Sequence, residues 1–300
     1  MTEANTKAAA EEKASAPVTV LPTSSVAAQN EAALASLLAQ FFLHNPDKTF
    51  AKALTHLAPE GFDFAPGIEK AMRTIRENAE KVDAAEEKNT TESETEELLD
   101  LKRDWTKLFR GISPDYGPTA PYAFLFLKGT TVEMMKDLAA LYIDGGYDGY
   151  QMVKDRIDYI GTCFQYLATV DLQIVNAIDE KLATEYTRLR LCRKVFLEEY
   201  LTPWVETFAE RARKFVQTDF YGAVLDLTVE VIDHFAAEHK TARPIMSAEE
   251  SREIALKEDK EITKMVSDME KGREPDLGPA KATVANVLDA AAVEKPAGHA

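Results

Sequence analysis

The stretch "RIDYIGTCFQYLATVDLQIVNAIDEKLATEYTRLRLCRKVFLEEYL", residues 156–201, returns apolar residues every three or four positions and never alternates with period two. A run of that length fits amphipathic helices and excludes strands of a half-buried sheet. It predicts two helices with a break near residues 178–184. "TPWVETF" then restarts the pattern, with Thr202 as cap, Pro203 at the first helical position, and Val205, Phe208, Ala212 and Phe215 on one face.

The same period recurs on both sides. In "EAALASLLAQFFLHNPDKTFAKAL", Ala33, Leu37 and Phe41 share helical spacing, as do Leu34, Leu38 and Phe42. Asn45 and Pro46 end that helix and cap the next. "LKRDWTKLFRG" carries a stripe of Leu101, Trp105, Leu108 and Phe109, and "ISPDYGPTAPYAFLFLKG" breaks it as a shaped loop. Thr130 and Glu133 form a capping box before Met134, Met135, Leu138 and Tyr142. "DFYGAVLDLTVEVIDHF" gives a last core helix through Tyr221, Val224, Leu225, Thr228, Ile232 and Phe235, and a charged helix follows, capped by Ser247 and Glu250. The expectation is an all-α chain of roughly ten helices.

At 300 residues and 45% hydrophobic content the chain can bury a real core. Residues 1–26 are too polar to join it and are expected to form a disordered arm, with a domain over 27–240 and a charged helix and mobile tail over 241–300. The formal charge of -16 argues against nucleic acid, whose phosphates require a basic face, and favours partners with basic segments. Half of that charge lies between Glu77 and Asp100, where ten acids face Lys81 and Lys88. That acidic insert is expected to be a solvated helix end and disordered loop, serving either as filler or as an electrostatic lure. Cys163 and Cys192 lie in helical patterns and read as buried free thiols of a reducing compartment. The N-terminal sequence has no export pattern, no adjacent arginine pair occurs, and no run is long enough to span a membrane, so a cytoplasmic protein is expected.

Candidate chemistry is sparse. In "LYIDGGYDGYQMVKDRID", Asp144, Asp148, Gly149 and Asp155 fall at the first, fifth, sixth and twelfth positions of an EF-hand frame. Gly146 offers no ligand at the third, and Asp155 is shorter than the bidentate Glu that calcium requires. A flexible glycine joint between helices is the plainer reading. Val231 and Ala236 stand where a di-iron bundle would need Glu before His234 and His239. "KGTT" lacks the P-loop frame, and no nucleophile, base and oxyanion donor assemble, so binding is expected rather than catalysis.

Taken in order, "LLAQFFLHNPDKTFAKAL", "RDWTKLFRG…YGPTAPYAFLFL", the glycine joint leading to "KDRID", and "FLEEYLTPWVETFAERARKFVQTDFYGAVLDL" resemble the TorD/DmsD-like family of molybdoenzyme maturation chaperones across about residues 31–239. The resemblance implies one all-helical domain in two halves joined by a Gly-rich hinge over 143–156. It implies a cytoplasmic, non-catalytic protein without a resident cofactor or metal, monomeric or a domain-swapped dimer. Its partners would be the apo catalytic subunit of a molybdopterin oxidoreductase and that subunit's twin-arginine leader, held until cofactor insertion. The family's Asp-His signature corresponds to Asp155 and Arg156. The sequence departs from the family's His at Arg156, its acidic residues at Ile160 and Thr162, and its His at Tyr200.

Tyr116, Tyr122, Tyr147, Asp155, Arg156, Tyr200 and Trp204 are therefore the expected client- and leader-binding residues. Trp105, Trp204, Phe220 and Tyr221, at helical spacing, read as core packing ahead of peptide contact. Two other functions stay open: an acidic helical scaffold that bridges protein partners without a redox client, and a nucleotide-dependent enzyme.

Overall fold

The computed structural model describes residues 21–257 and 260, apart from 63–64, 92, 112–115, 130, 153–155 and 238–244. The expected N-terminal arm up to residue 20, nearly all of the expected tail, and the capping threonine Thr130 lie outside the described residues. The chain divides after Ser251 into two units. In the first, the helices are α1 (Val26–Leu43), α2 (Lys48–Leu54), α3 (Pro66–Lys88), α4 (Glu96–Phe109), α5 (Thr131–Asp144), α6 (Ile160–Asp179), α7 (Ala183–Phe196), α8 (Thr202–Arg213) and α9 (Asp219–Phe235). Residues 248–257 are also helical. Among the described residues there is no strand beyond two isolated bridges, and the fold is a single all-α domain.

α1 packs along α6, and α3 packs along α9. The expected two halves therefore share one core, because helices from before the glycine joint bury their apolar faces against helices after it. Phe42 sits at the centre, with its ring 4.8 Å from Phe109, 6.0 Å from Phe164 and 6.4 Å from Phe208. One residue earlier, Phe41 meets Phe220 edge-on at 5.9 Å. The carbonyls that α1 leaves open at its C-terminal end accept side-chain donors: Trp105 Nε1 donates to Phe41 O at 3.0 Å, and Tyr159 Oη to Phe42 O at 2.8 Å. Both cysteines are buried free thiols.

Several local expectations need correction. α1 starts at Val26 and exposes Ala33, so its buried face runs through Leu34, Ala35, Leu38 and Phe42. The cap of α2 is Asp47, whose carboxylate accepts Phe50 N–H at 2.7 Å; Asn45 and Pro46 precede the cap. The acidic insert is largely helical, since α3 continues to Lys88 and α4 begins at Glu96. Glu86 lies in it with its side chain only 6% exposed, paired with Lys48 at 2.6 Å and accepting Thr95 N–H and O–H, each at 2.8 Å.

The helix at Thr202 is not a fresh start. The chain stays helical from Ala183 to Arg213, passing through a π-helical turn at Leu197–Leu201. Pro203 has no N–H to donate, and Thr202 N–H reaches back five residues to Leu197 O. The indole of Trp204 then donates to Tyr200 O at 2.6 Å. Ser247 and Glu250 form the expected reciprocal box, with Ser247 N donating to the carboxylate at 2.6 Å and Glu250 N to the hydroxyl at 3.1 Å.

Candidate functional site

The loop between α4 and α5 is built around one buried carboxylate. A chain segment outside helices must find partners for its own N–H and C=O groups. Here Ala123 N donates to Asp158 O at 3.1 Å, Phe124 N to the Asp158 carboxylate at 3.1 Å, and Ile160 N to Pro121 O at 2.9 Å. Tyr122 and Tyr159 form an isolated antiparallel bridge with their rings 5.2 Å apart. Asp158 is completely buried, and burial raises its carboxyl above the usual range while the Arg156 guanidinium opposes the shift. Arg156 Nε donates to Asp158 at 3.1 Å, and its guanidinium lies over the Phe124 ring at 3.8 Å and within 5.9 Å of Tyr122.

On its other side Phe124 lines a cleft of about 140 Å3 shared with Leu127, Lys128, Met134, Glu133, Asp137 and Tyr200. Glu133 and Asp137 are exposed and lie one helical turn apart on α5. Lys128, at the mouth, pairs with Glu250 at 3.2 Å. Nearby in the chain, Trp204 stacks on Phe126 at 5.0 Å, and Tyr200 stacks on Phe196 at 6.3 Å. A short segment pairs with the loop next to Leu127: Leu127 bridges Ile245, Met246 N donates to Phe126 O at 2.7 Å, and Arg211 donates to Met246 O at 2.7 Å and to Ser251 Oγ at 3.0 Å.

The expected site residues are distributed unevenly over this arrangement. Tyr122 and Arg156 meet at the loop, and Tyr200 lines the cleft. Trp204 is fully buried and offers no surface; its ring stacks on Phe126 of the loop. Tyr147 is 5% exposed and donates to Gln165 Oε1 at 2.6 Å, and burial pushes its phenol up to about 12. Tyr116 is 77% exposed, away from these contacts, on the turn beside the end of α4. Asp155 lies outside the described residues.

The glycine joint is packed where it is described. Gly146 adopts φ +70 and needs the freedom of glycine. A Cβ on Gly145 would come within 2.5 Å of the Tyr166 ring. Gln173 Nε2 donates to Gly145 O at 3.0 Å, and Arg188 donates to Asp144 O. A flexible hinge is therefore not evident at Asp144–Tyr147. Among the described residues no cluster of His, Cys, Asp and Glu is placed to hold a metal, and no helix is long and apolar enough to cross a membrane.

Three residues that shape the site escaped the sequence analysis. Asp158 reads there as one more acid in an acidic stretch. Its signal was local: a carboxylate directly before the apolar "YIG" that opens α6. Phe124 and Asp137 gave no such signal, because a cleft between a loop and a helix depends on long-range packing.

No curated protein matches the sequence. The family model described as nitrate reductase delta subunit matches residues 63–210, which run from the approach to α3 well into α8 and include the loop, Asp158, α5 and Tyr200. With an all-helical fold around it, that match supports the NarJ/TorD-type family of molybdoenzyme maturation chaperones.

Proposed function

We propose that this chaperone holds the leader peptide of an apo molybdoenzyme catalytic subunit in the cleft between the Phe124 loop and α5, and keeps it there until the subunit has received its cofactor, before export or assembly. The observation that carries the reading is the cleft's lining, mostly polar: the exposed carboxylates of Glu133 and Asp137 stand in it with Lys128 and Thr131, beside the apolar side chains of Phe124, Leu127, Met134 and Tyr200. A leader that sets arginines beside an apolar run matches both parts. Its side-chain stems and apolar residues lie on the apolar side chains, while its guanidinium groups reach the carboxylates in charge-assisted hydrogen bonds. The chain's net charge of -16 draws the same basic segment in from a distance. The work is binding, in keeping with a family of chaperones rather than catalysts.

Calorimetric titration of a synthetic leader peptide against the intact protein tests the reading. Hydrogen bonds to charged groups contribute about 1.5–3 kcal/mol each, so replacing the leader's two arginines by alanine should weaken binding by roughly tenfold or more. The double variant Glu133→Gln, Asp137→Asn should lose a similar factor. Equal affinity for the two peptides would remove the leader from this cleft. A pull-down that returns no molybdoenzyme large subunit would remove the client.

A further inference from the structure

Phe124, which lines the cleft, also belongs to a smaller arrangement that already contains an arginine. The Arg156 guanidinium has the Phe124 ring face at 3.8 Å, the Tyr122 ring at 5.9 Å, and the Asp158 carboxylate at 3.1 Å. The carboxylate is fully buried, whereas the arginine side chain is 36% exposed. A buried carboxylate and two ring faces select a flat, delocalised, weakly hydrated cation over an ammonium. The cage does not depend on its occupant for shape. Asp158 is pinned by Phe124 N–H, and Tyr122 is held by its bridge to Tyr159.

We infer that Arg156 is a placeholder: it fills in cis a guanidinium cage of Asp158, Phe124 and Tyr122 that an arginine of the incoming peptide enters when Arg156 swings outward. The inference deepens the leader reading and rests on it for the identity of the peptide. An empty cage would leave the buried carboxylate unpaired or force it to take up a proton, and either costs stability, so a cation supplied in cis stabilises the free protein. Exchanging one guanidinium for another leaves the buried charge balanced, and the exchange is therefore cheap in both directions. A tethered arginine competes at millimolar effective concentration and lowers the apparent affinity in proportion to the time it occupies the cage. When the client leaves, Arg156 returns, so the device favours release as well as selectivity for arginine over lysine.

Two measurements on the full chain test it. Arg156→Ala should melt below wild type, and guanidinium chloride at tens of millimolar should restore a substantial part of the loss, while equal tetramethylammonium chloride restores none and wild type is unmoved by either. The same variant should bind the arginine-bearing leader roughly tenfold more tightly than wild type, with no gain for a leader whose arginines are lysines. A folded Arg156→Ala protein that guanidinium does not restore overturns the cage. Restoration without tighter peptide binding overturns the placeholder role and makes Arg156 purely structural. Should Arg156→Ala not fold, Arg156→Lys keeps the charge but loses the planar fit; it too should bind the arginine leader more tightly, and equal or weaker binding overturns the inference. The leader reading fails by a different result: wild type would bind the arginine and alanine leaders alike, whatever guanidinium does to the variant.

Discussion

The packing around Phe42 and the loop around Asp158 are held together in different ways. Around Phe42, rings from α1, α4, α6 and α8 meet at 4.8–6.4 Å, and the force is loss of apolar surface and close contact. Around Asp158, a loop with a single 3-10 turn at Ala123–Leu125 is fixed by a carboxylate, the backbone groups of Ala123 and Phe124, and arginines lying on rings. The first arrangement tolerates exchange of one apolar side chain for another of similar volume. The second depends on individual polar groups in definite places, because an unpaired buried polar group is costly. A binding site is thus built on the part of the molecule that a few residues can reshape.

Trp204 belongs to both regions and should give the largest effect when removed. It is fully buried, stacks on Phe126 of the loop at 5.0 Å, meets Phe208 at 6.3 Å, and donates to the carbonyl at the π-helical turn. Trp204→Ala should cost ~3–5 kcal/mol in denaturant unfolding. A loss below ~0.5 kcal/mol, typical of surface changes, would mean that core and loop are not joined there.

That division also accounts for what the sequence made legible. Helices whose faces are buried against other helices showed in the spacing of Leu34, Leu38 and Phe42, or of Tyr221, Val224, Leu225 and Thr228, since burial of a helix face imposes its own period. Helix ends were less legible. Asp47 and Asn45 are both good caps, and only the backbone angles at Asp47 decide between them. The unbroken passage through Pro203 needed a π-helical turn that no local pattern announces. Of the expected contact residues, Tyr200 lines the cleft, Tyr122 and Arg156 meet beside Phe124, and Tyr147 and Trp204 are buried in the core: an aromatic residue in a motif looks the same whether it faces the core or the solvent.

The pH dependence of stability should separate two clusters of charge. Asp171 is buried on α6 with Arg193 Nε donating to it at 2.6 Å, and Arg193 also pairs with Glu31 at 3.0 Å. Burial pushes the Asp171 carboxyl up to about 7, against the pull of Arg193. An acid that holds its proton more tightly when folded than when unfolded makes stability fall as pH rises, here from the ordinary value near 3.8 to about 7. Glu86 behaves oppositely. Its bond from Lys48, with the Thr95 N–H, holds it at about 2, so its contribution is present above the ordinary 4.5 and is lost as pH falls toward 2. Urea midpoints between pH 4.5 and 7.5 should therefore slope downward through Asp171, by a few kcal/mol at most, and Asp171→Asn should flatten that slope although it lowers stability throughout. An unchanged slope would show that Asp171 does not titrate in this window.

The smallest expected effect belongs to the exposed acids of α3 and α4, and it decides whether that surface takes part in binding at all. Glu86 must be spared, because it is buried and clamps α3 to Lys48 and to the cap of α4. Glu80, Glu87, Glu96 and Glu97 are exposed. Their pairs with Arg76, Lys52 and Arg103 are surface pairs, each contributing about 0–1 kcal/mol, so changing the four to glutamine should leave the fold intact. Exposed charges act over about 8 Å at physiological salt and chiefly speed encounter. If the surface attracts a basic leader, the glutamine variant should associate several-fold more slowly at low salt, with a flatter salt dependence and a dissociation rate close to wild type. The cleft variants Glu133→Gln and Asp137→Asn should show the reverse, with faster dissociation as the main change. Stopped-flow binding of a labelled leader at two salt concentrations reads both rates, and identical association rates for wild type and the four-glutamine variant at low salt would leave the acids of α3 and α4 as a solubilising surface with no part in capture.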